Sequence, residues 1–272
     1  MKRIIAVALM LILSVSVAFC EETTVVGEVA VSEVPAAEAT VAPSEAEETD
    51  MAHARASLKV EKMDEGRLEG IIIGIDPGHQ AHANSEKEQV APGSKETKAK
   101  VASGTSGVST GIAEYVTDLE IALQLRDALL DEGCTVYMTH DTADVDISNK
   151  ERAEMMNAYG CDLVLRLHCD GSTDSSANGI GMFVRKTGEK QEESEAAAEV
   201  LLEKMSEATG AKARGVFLRD TYTMNNWSTV PCILVEMGYM SNPDEDEKLN
   251  DPSYQKLLVQ GMVEGVCTYF ER

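Results

Sequence analysis

The chain has 272 residues, 47 acidic against 24 basic side chains, and a formal net charge of −23. That balance argues against nucleic acid or an anionic membrane surface as the main partner. The length suits one substantial α/β domain plus appendages.

The first twenty residues, MKRIIAVALMLILSVSVAFC, have a basic start followed by an apolar run, the layout of a secretory signal peptide. Export is therefore expected, to the outside or the cell envelope. Cleavage after Ala18 or Cys20 is favoured over lipidation of Cys20, and no span is expected in the mature chain. Residues 21–69 hold 13 acidic and 4 basic residues, with no aromatic residue and no sustained period. Such a segment buries too little apolar surface to offset its ordering entropy and reads as an acidic disordered linker, in which His53 is incidental. Residues 70–272 form the domain.

From residue 70 onward, short apolar runs (IIIGID, CTVYMT, DLVLRLH, IGMFVR, CILVEM) alternate with helical patterns. This predicts a single α/β domain with a mostly parallel, mixed sheet and helices on both faces. A helix starts near Tyr115, where Thr117, Glu120, Gln124, Asp127 and Asp131 form a polar stripe expected to face solvent, and Gly133 closes it. The next opens with the capping sequence Ser148-Asn-Lys-Glu151 and stops at Gly160. A third runs from about Glu193 to Thr209 and ends at Gly210, and the last starts at Asp251-Pro252. Residues 80–113 break the alternation: they are polar and Gly/Ser-rich, and are expected as one long functional or mobile loop. Its GTSG lacks the lysine and spacing of a phosphate-binding loop. Cys134, Cys161, Cys169 and Cys232 lie in or beside strand-like runs and read as small buried residues; no pairing follows from the sequence.

Three of the strand-like runs end in residues able to bind metal or move protons: His79, His168 and Glu236. Ligands gather outside the carboxyl ends of strands in open α/β sheets, and Glu114, just before the first long helix, can face the same rim. Two imidazoles, one carboxylate and an open fourth position make a catalytic zinc site, which a second carboxylate can serve as general base. Glu236 is hard to explain structurally, because an unpaired buried carboxylate is costly. Glu114 also suits the helix dipole without any metal.

These residues resemble the zinc-dependent N-acetylmuramoyl-L-alanine amidases of the bacterial cell wall, the type-3 group. Asp76-Pro77-Gly78-His79 matches the family's opening motif. EYVTDL is similar to its Glu-Lys-x-x-Asn-Leu, with Asp118 replacing the asparagine. THDTAD stands for Thr-Arg-x-x-Asp, with His140 replacing the arginine. Arg152 and Asn157 match its Arg and Ala-Asn helix, LRLHCD its Ser-Ile-His-Ala-Asn, and VEMGYMSN its Val-Glu-x-Gly-Phe-x-Ser-Asn. The resemblance implies Zn2+ held by His79, Glu114 and His168, Glu236 as the catalytic carboxylate, and peptidoglycan as substrate, cut between N-acetylmuramic acid and L-alanine; a monomer is expected. Alternatives are a non-catalytic peptidoglycan-binding module on the same fold and a zinc peptidase for another amide.

Four further residues are candidates for supporting or substrate contacts. Asp118 lies on the buried side of its helix. Arg152 either fixes a carboxylate near the site or is a solvated helix charge, and Asn157 goes with it through the shared motif. Trp227, the only tryptophan, either lines the groove or is structural. His82 reads as a loop residue and Cys169 as core. Gln80 departs from the glycines with which the family usually continues.

Overall fold

A computed structural model describes residues 66–271. The expected signal peptide, Cys20, His53 and the linker up to residue 65 lie outside the described residues. Six strands form the main sheet in the order β4-β1-β5-β8-β6-β7. They are β1 (Ile72–Pro77), β4 (Thr135–Met138), β5 (Leu163–Asp170), β6 (Ile180–Val184), β7 (Ala213–Leu218) and β8 (Cys232–Tyr239). The first four in spatial order run parallel; β6 is antiparallel to β8 and parallel to β7. The fold is thus the expected mixed α/β sheet.

Alternation along the strands assigns the two faces. On one face Ile73, Ile75, Leu163, Leu165, Leu167, Ile233, Val235 and Met237 join the main core. That core is completed by α1 (Glu114–Asp131), α3 (Gln191–Thr209) and α6 (Pro252–Tyr269). On the other face Val164 and Cys232 pack with α2 (Asn149–Tyr159) and the short α4 (Thr223–Trp227). This smaller layer covers only the beginnings of β5 and β8. Further along the same face, Arg166, His168, Leu234 and Glu236 line a cavity instead of a core. The short second layer therefore opens the carboxyl ends of the two central strands.

The caps behave as their residue types demand. Ser148 and Glu151 form a reciprocal capping box on α2, which ends at Gly160 with φ +63°. Asp251 accepts from the backbone N–H groups of Ser253 and Tyr254 at the start of α6. Thr117 departs from its expected solvent stripe: it is fully buried and donates to Asn250 at 2.8 Å. The last turns of the stripe, at Asp127 and Asp131, are exposed as expected.

Two regions differ from the sequence reading. Residues 80–113 are not one loop, because β2 (Asn84–Gln89) and β3 (Thr97–Val101) pair as an antiparallel hairpin, a separate two-stranded sheet. Their sequences, NSEKEQ and TKAKV, carry almost no apolar alternation, because the hairpin is anchored by hydrogen bonds rather than by a buried face. β7 was also invisible to periodicity, being a half-exposed strand at the sheet edge.

The folded unit also begins before residue 70. Leu68 is fully buried in the main core. The Arg67 guanidinium bonds both oxygens of Glu132 (2.9 and 2.8 Å) and of Glu264 (3.1 and 3.0 Å), joining the end of α1 to α6. A Leu68→Ala substitution is expected to cost about 2–5 kcal/mol in chemical denaturation. A loss near zero would remove this segment from the core.

Candidate active site

A cavity of about 680 Å3 opens at the carboxyl ends of β5 and β8, and His79, Glu114, His168 and Glu236 all line it. His168 and Glu236 are adjacent across the β5–β8 ladder. Glu114 is the first residue of α1, whose N-cap Ala113 makes no side-chain cap. Its Oε2 accepts instead from the Thr105 N–H at 2.7 Å, and its Oε1 from the Cys169 N–H at 3.2 Å.

The histidines converge on that same Oε1. His79 Nε2 lies 3.0 Å and His168 Nδ1 3.1 Å from it, with the two rings edge to face at 4.8 Å. The ligating atoms of His79, Glu114 and His168 all lie within 4.8 Å of one another, the one such group among the described residues. Burial raises the Glu114 carboxyl, but the hydrogen bond from His168 leads the effects that outweigh it and hold it well below the ordinary carboxylate range. Burial, together with the Arg166 charge, pushes His168 down to about 4 against the pull of Glu114. The ring is therefore neutral at physiological pH, the form that ligates metal.

His79 carries the test of whether these residues fit a cation. Its Nδ1 faces the Ala102 carbonyl at 2.8 Å while its Nε2 faces Glu114. A neutral imidazole has one N–H for these two acceptors. With Nδ1–H donated to Ala102, the Nε2 lone pair points at a carboxylate, an arrangement that a cation between them relieves. A carbonyl fixing the other ring nitrogen is also how ligating histidines are usually oriented. The donor set fits.

Glu236 is buried, and its Oε2 has no hydrogen-bond partner. Burial and the charges of Asp170 and Glu114 raise its carboxyl well above the usual range. Asp118, one turn after Glu114, is fully buried and likewise raised by burial and the Glu114 charge; Cys169 donates to it at 3.4 Å and its Oδ2 has no partner. A neutral Asp118 is nearly isosteric with the asparagine of the family motif. Gly78 leaves room for this approach, since a Cβ there would run into Asp118 Oδ2 and the His168 ring.

Behind the rim lies a buried ion network. Asp76, fully buried, accepts from Arg152 Nη1 (2.9 Å), Thr139 Oγ1 (2.7 Å) and Arg166 Nε (2.9 Å). Burial raises its carboxyl, but Arg152 and Arg166 hold it well below the usual range. His140, buried beside Arg152, is pushed down to about 3 by burial and that charge, so it adds no cation. Arg152 is 1% exposed and uses all five N–H groups, reaching Ile147 O, Asp76, Pro77 O, His79 O and Gln80 Oε1 at 2.8–3.0 Å. It is not a solvated helix charge. Its grip on the carbonyls of Pro77 and His79 holds the turn in which His79 takes φ +61°, a left-handed conformation rare outside glycine.

Asn157 and Trp227 lie outside the cavity lining. Asn157 donates to Trp227 O (2.9 Å) and accepts from the Thr229 N–H (2.8 Å), clamping the end of α4. Trp227 Nε1 donates to Gln89 O at 2.8 Å and pins the hairpin, with Lys150 over its ring. Both act as structural ties. His82 lines a separate surface cavity. The five described cysteines, Cys134, Cys161, Cys169, Cys232 and Cys267, are free and buried.

Sequence reasoning missed Arg166. It sits on β5 two residues before His168, 4% exposed, bonded to Asp76, Asn225 (3.1 Å) and Asn149 (3.2 Å), with Nη2 3.4 Å from His168 Nε2. The signal was present, because a charge inside an apolar strand run requires a buried partner.

The fold and the rim together define a class: an α/β protein whose two histidines and one carboxylate, beside a second unpartnered carboxylate, suit metal-assisted hydrolysis. The sequence profile described as N-acetylmuramoyl-L-alanine amidase matches residues 73–268, and the chain belongs to that family. It is 27% identical over 222 residues to the probable cell wall amidase LytH of Staphylococcus saprophyticus, covering 80% of this chain and 65% of that protein. It is 28% identical over 203 residues to the LytH of Staphylococcus epidermidis, covering 75% and 60%. The chain thus spans less than two thirds of the length of these relatives. Among solved structures, the N-acetylmuramyl-L-alanine amidase Ami1 of Mycobacterium smegmatis superposes with a TM-score of 0.69 at 22% identity, covering 75% of this chain and 98% of that one. The apo form of Ami1 from Mycobacterium abscessus gives 0.68 at 26% identity, covering 74% and 99%.

Asp76→Asn leaves two buried arginines without a counter-charge and is expected to cost about 3–5 kcal/mol at pH 7. The depressed Asp76 carboxyl stays ionised in the fold while an unfolded aspartate protonates near a pH of about 3.9. Its contribution is therefore complete above that pH and is lost as pH falls toward its folded value. Urea titrations between pH 7 and pH 3 should show the wild-type advantage over Asp76→Asn shrinking. A pH-independent gap would contradict the ion-pair account.

Proposed function

We propose that the protein is a zinc-dependent amidase that hydrolyses the bond between the lactyl group of N-acetylmuramic acid and the L-alanine of the peptidoglycan stem. The observation that carries this reading is the meeting of His79, Glu114 and His168 in one cavity with the unpartnered carboxylate of Glu236. A zinc ion held by the first three would supply a Lewis acid that polarises the amide carbonyl and acidifies water.

The remaining chemistry belongs to the chain's own groups. Glu236, with one oxygen free of hydrogen bonds, takes a proton from water and delivers it to the leaving alanine nitrogen. Its raised affinity for protons suits a group that accepts a proton in one step and donates it in the next. Glu114 supplies the negative charge that balances the cation, and its contacts with Thr105 and Cys169 keep both oxygens oriented. A basic and then apolar run over residues 1–20 supports action outside the cytoplasm.

The test is digestion of purified peptidoglycan by the zinc-loaded protein. Release of alanine amino termini without new reducing sugar ends is expected. No release would favour a binding module on this fold, and release of another amine would favour a peptidase. Glu236→Gln is expected to lower turnover by about 10²–10⁴-fold while keeping zinc bound. Loss of zinc in that variant would make Glu236 a ligand instead.

A further inference from the structure

The cavity carries a second set of charges that the hydrolytic chemistry does not use. One wall of it is the β2–β3 hairpin, which contributes Lys87 and Lys98. The strands of this hairpin hold Glu86, Lys87, Glu88, Lys98 and Lys100, and the structure sorts them. Glu86 accepts from Lys100 at 2.7 Å. Glu88 is buried and turned away to the first turn of α2, where it accepts from the Lys150 N–H at 3.2 and 3.3 Å. Neither acid is left to neutralise the two lysines of the cavity. Lys98 Nζ donates to the Thr221 carbonyl at 2.7 Å, a neutral partner that fixes the ammonium without cancelling its charge. Lys87 is exposed, and its side chain makes no hydrogen bond or ion pair among the described residues.

The wall is anchored. Besides the Trp227 tie, Asn226 donates to Val90 O at 3.0 Å and Asn149 to Lys100 O at 2.6 Å. In a chain with 47 acidic and 24 basic residues, two uncompensated ammonium groups are thus held in the same cavity as Glu114, Asp170 and Glu236.

We propose that the hairpin is a carboxylate-binding wall, with Lys87 and Lys98 taking free carboxylates of an acidic stem peptide. The proposal rests on the amidase reading of the same cavity. The glycan of such a substrate is uncharged once its lactyl carboxyl is in the amide, so its anionic groups lie on the peptide, and cations on this wall select the peptide side. Two compact charges on flexible stems suit carboxylates at more than one position along a peptide, rather than one fixed bidentate contact.

The test measures binding by calorimetry to the full zinc-loaded chain carrying Glu236→Gln, so that ligand is not consumed. The ligands are an N-acetylmuramoyl peptide with free stem carboxylates and the same peptide with those carboxylates amidated. The free-acid form should bind about five- to tenfold more tightly, an advantage that declines with added salt. Adding Lys87→Ala and Lys98→Ala should abolish the advantage while leaving affinity for the amidated form within about twofold, and Lys87→Arg with Lys98→Arg should keep it. Both lysines are exposed, so an unchanged melting temperature is expected to accompany the loss. Equal binding of the two peptides, no binding of either, or an advantage that survives the alanine pair would overturn the proposal. Turnover by the wild-type chain separates it from the amidase reading. Cleavage without carboxylate preference overturns the wall alone, whereas carboxylate-selective binding without cleavage overturns the amidase reading alone.

Discussion

The buried carboxylate of Asp76 is the constraint on which the site depends. Held between Arg152 and Arg166, it joins three separate stretches of chain: the end of β1, the helix α2 and the strand β5. Each arginine then reaches the rim. Arg152 secures the carbonyls on either side of Gly78 and so fixes His79, while Arg166 lies against His168. Removing three charges from water is expensive, and a hydrophobic trio of similar volume would often be as stable. What the ion network adds is direction. It presents donors to the backbone of a left-handed turn that no apolar side chain could hold.

The sheet supplies the rest of the geometry by simple alternation. On β5 and β8, one set of alternate residues builds the main core, and the other set changes along the strand from core to cavity floor. The change comes where the short layer of α2 and α4 ends. A carboxylate at Glu236 and a histidine at His168 can therefore sit on strands that are otherwise apolar, because each faces the cavity. Both remain shielded enough for burial to control their protonation.

Much of this was legible in the sequence. Apolar strand runs that end in His79, His168 and Glu236 are unusual in a chain with five histidines, and the capping signals of α2 and α6 held in the structure. What stayed hidden was whatever lacked an apolar period. The β2–β3 hairpin alternates charge with charge, and its stability comes from distant partners such as Trp227 and Asn226. Arg152 could not be told from a surface charge, because its partner, Asp76, is 76 residues away in the chain. Asn157 and Trp227, picked out by a motif and by rarity, make contacts that tie loops together, which for Trp227 is the structural alternative that the sequence left open. The hairpin occupies the insertion after Gln80, and Gln80 itself links Arg152 to Asp146, so the part of the chain that departs from the family pattern is joined directly to the ion network behind the candidate site.

The central claim is that Asp76 and its arginines bring His79, Glu114 and His168 to one cation and leave Glu236 free beside it. Anomalous diffraction from crystals of the zinc-loaded protein measures this directly. The account predicts a single strong peak bonded to His79 Nε2, a Glu114 oxygen and His168 Nδ1, with Glu236 outside the bonding distance. A peak elsewhere, or one bonded to Glu236 in place of Glu114, would contradict it.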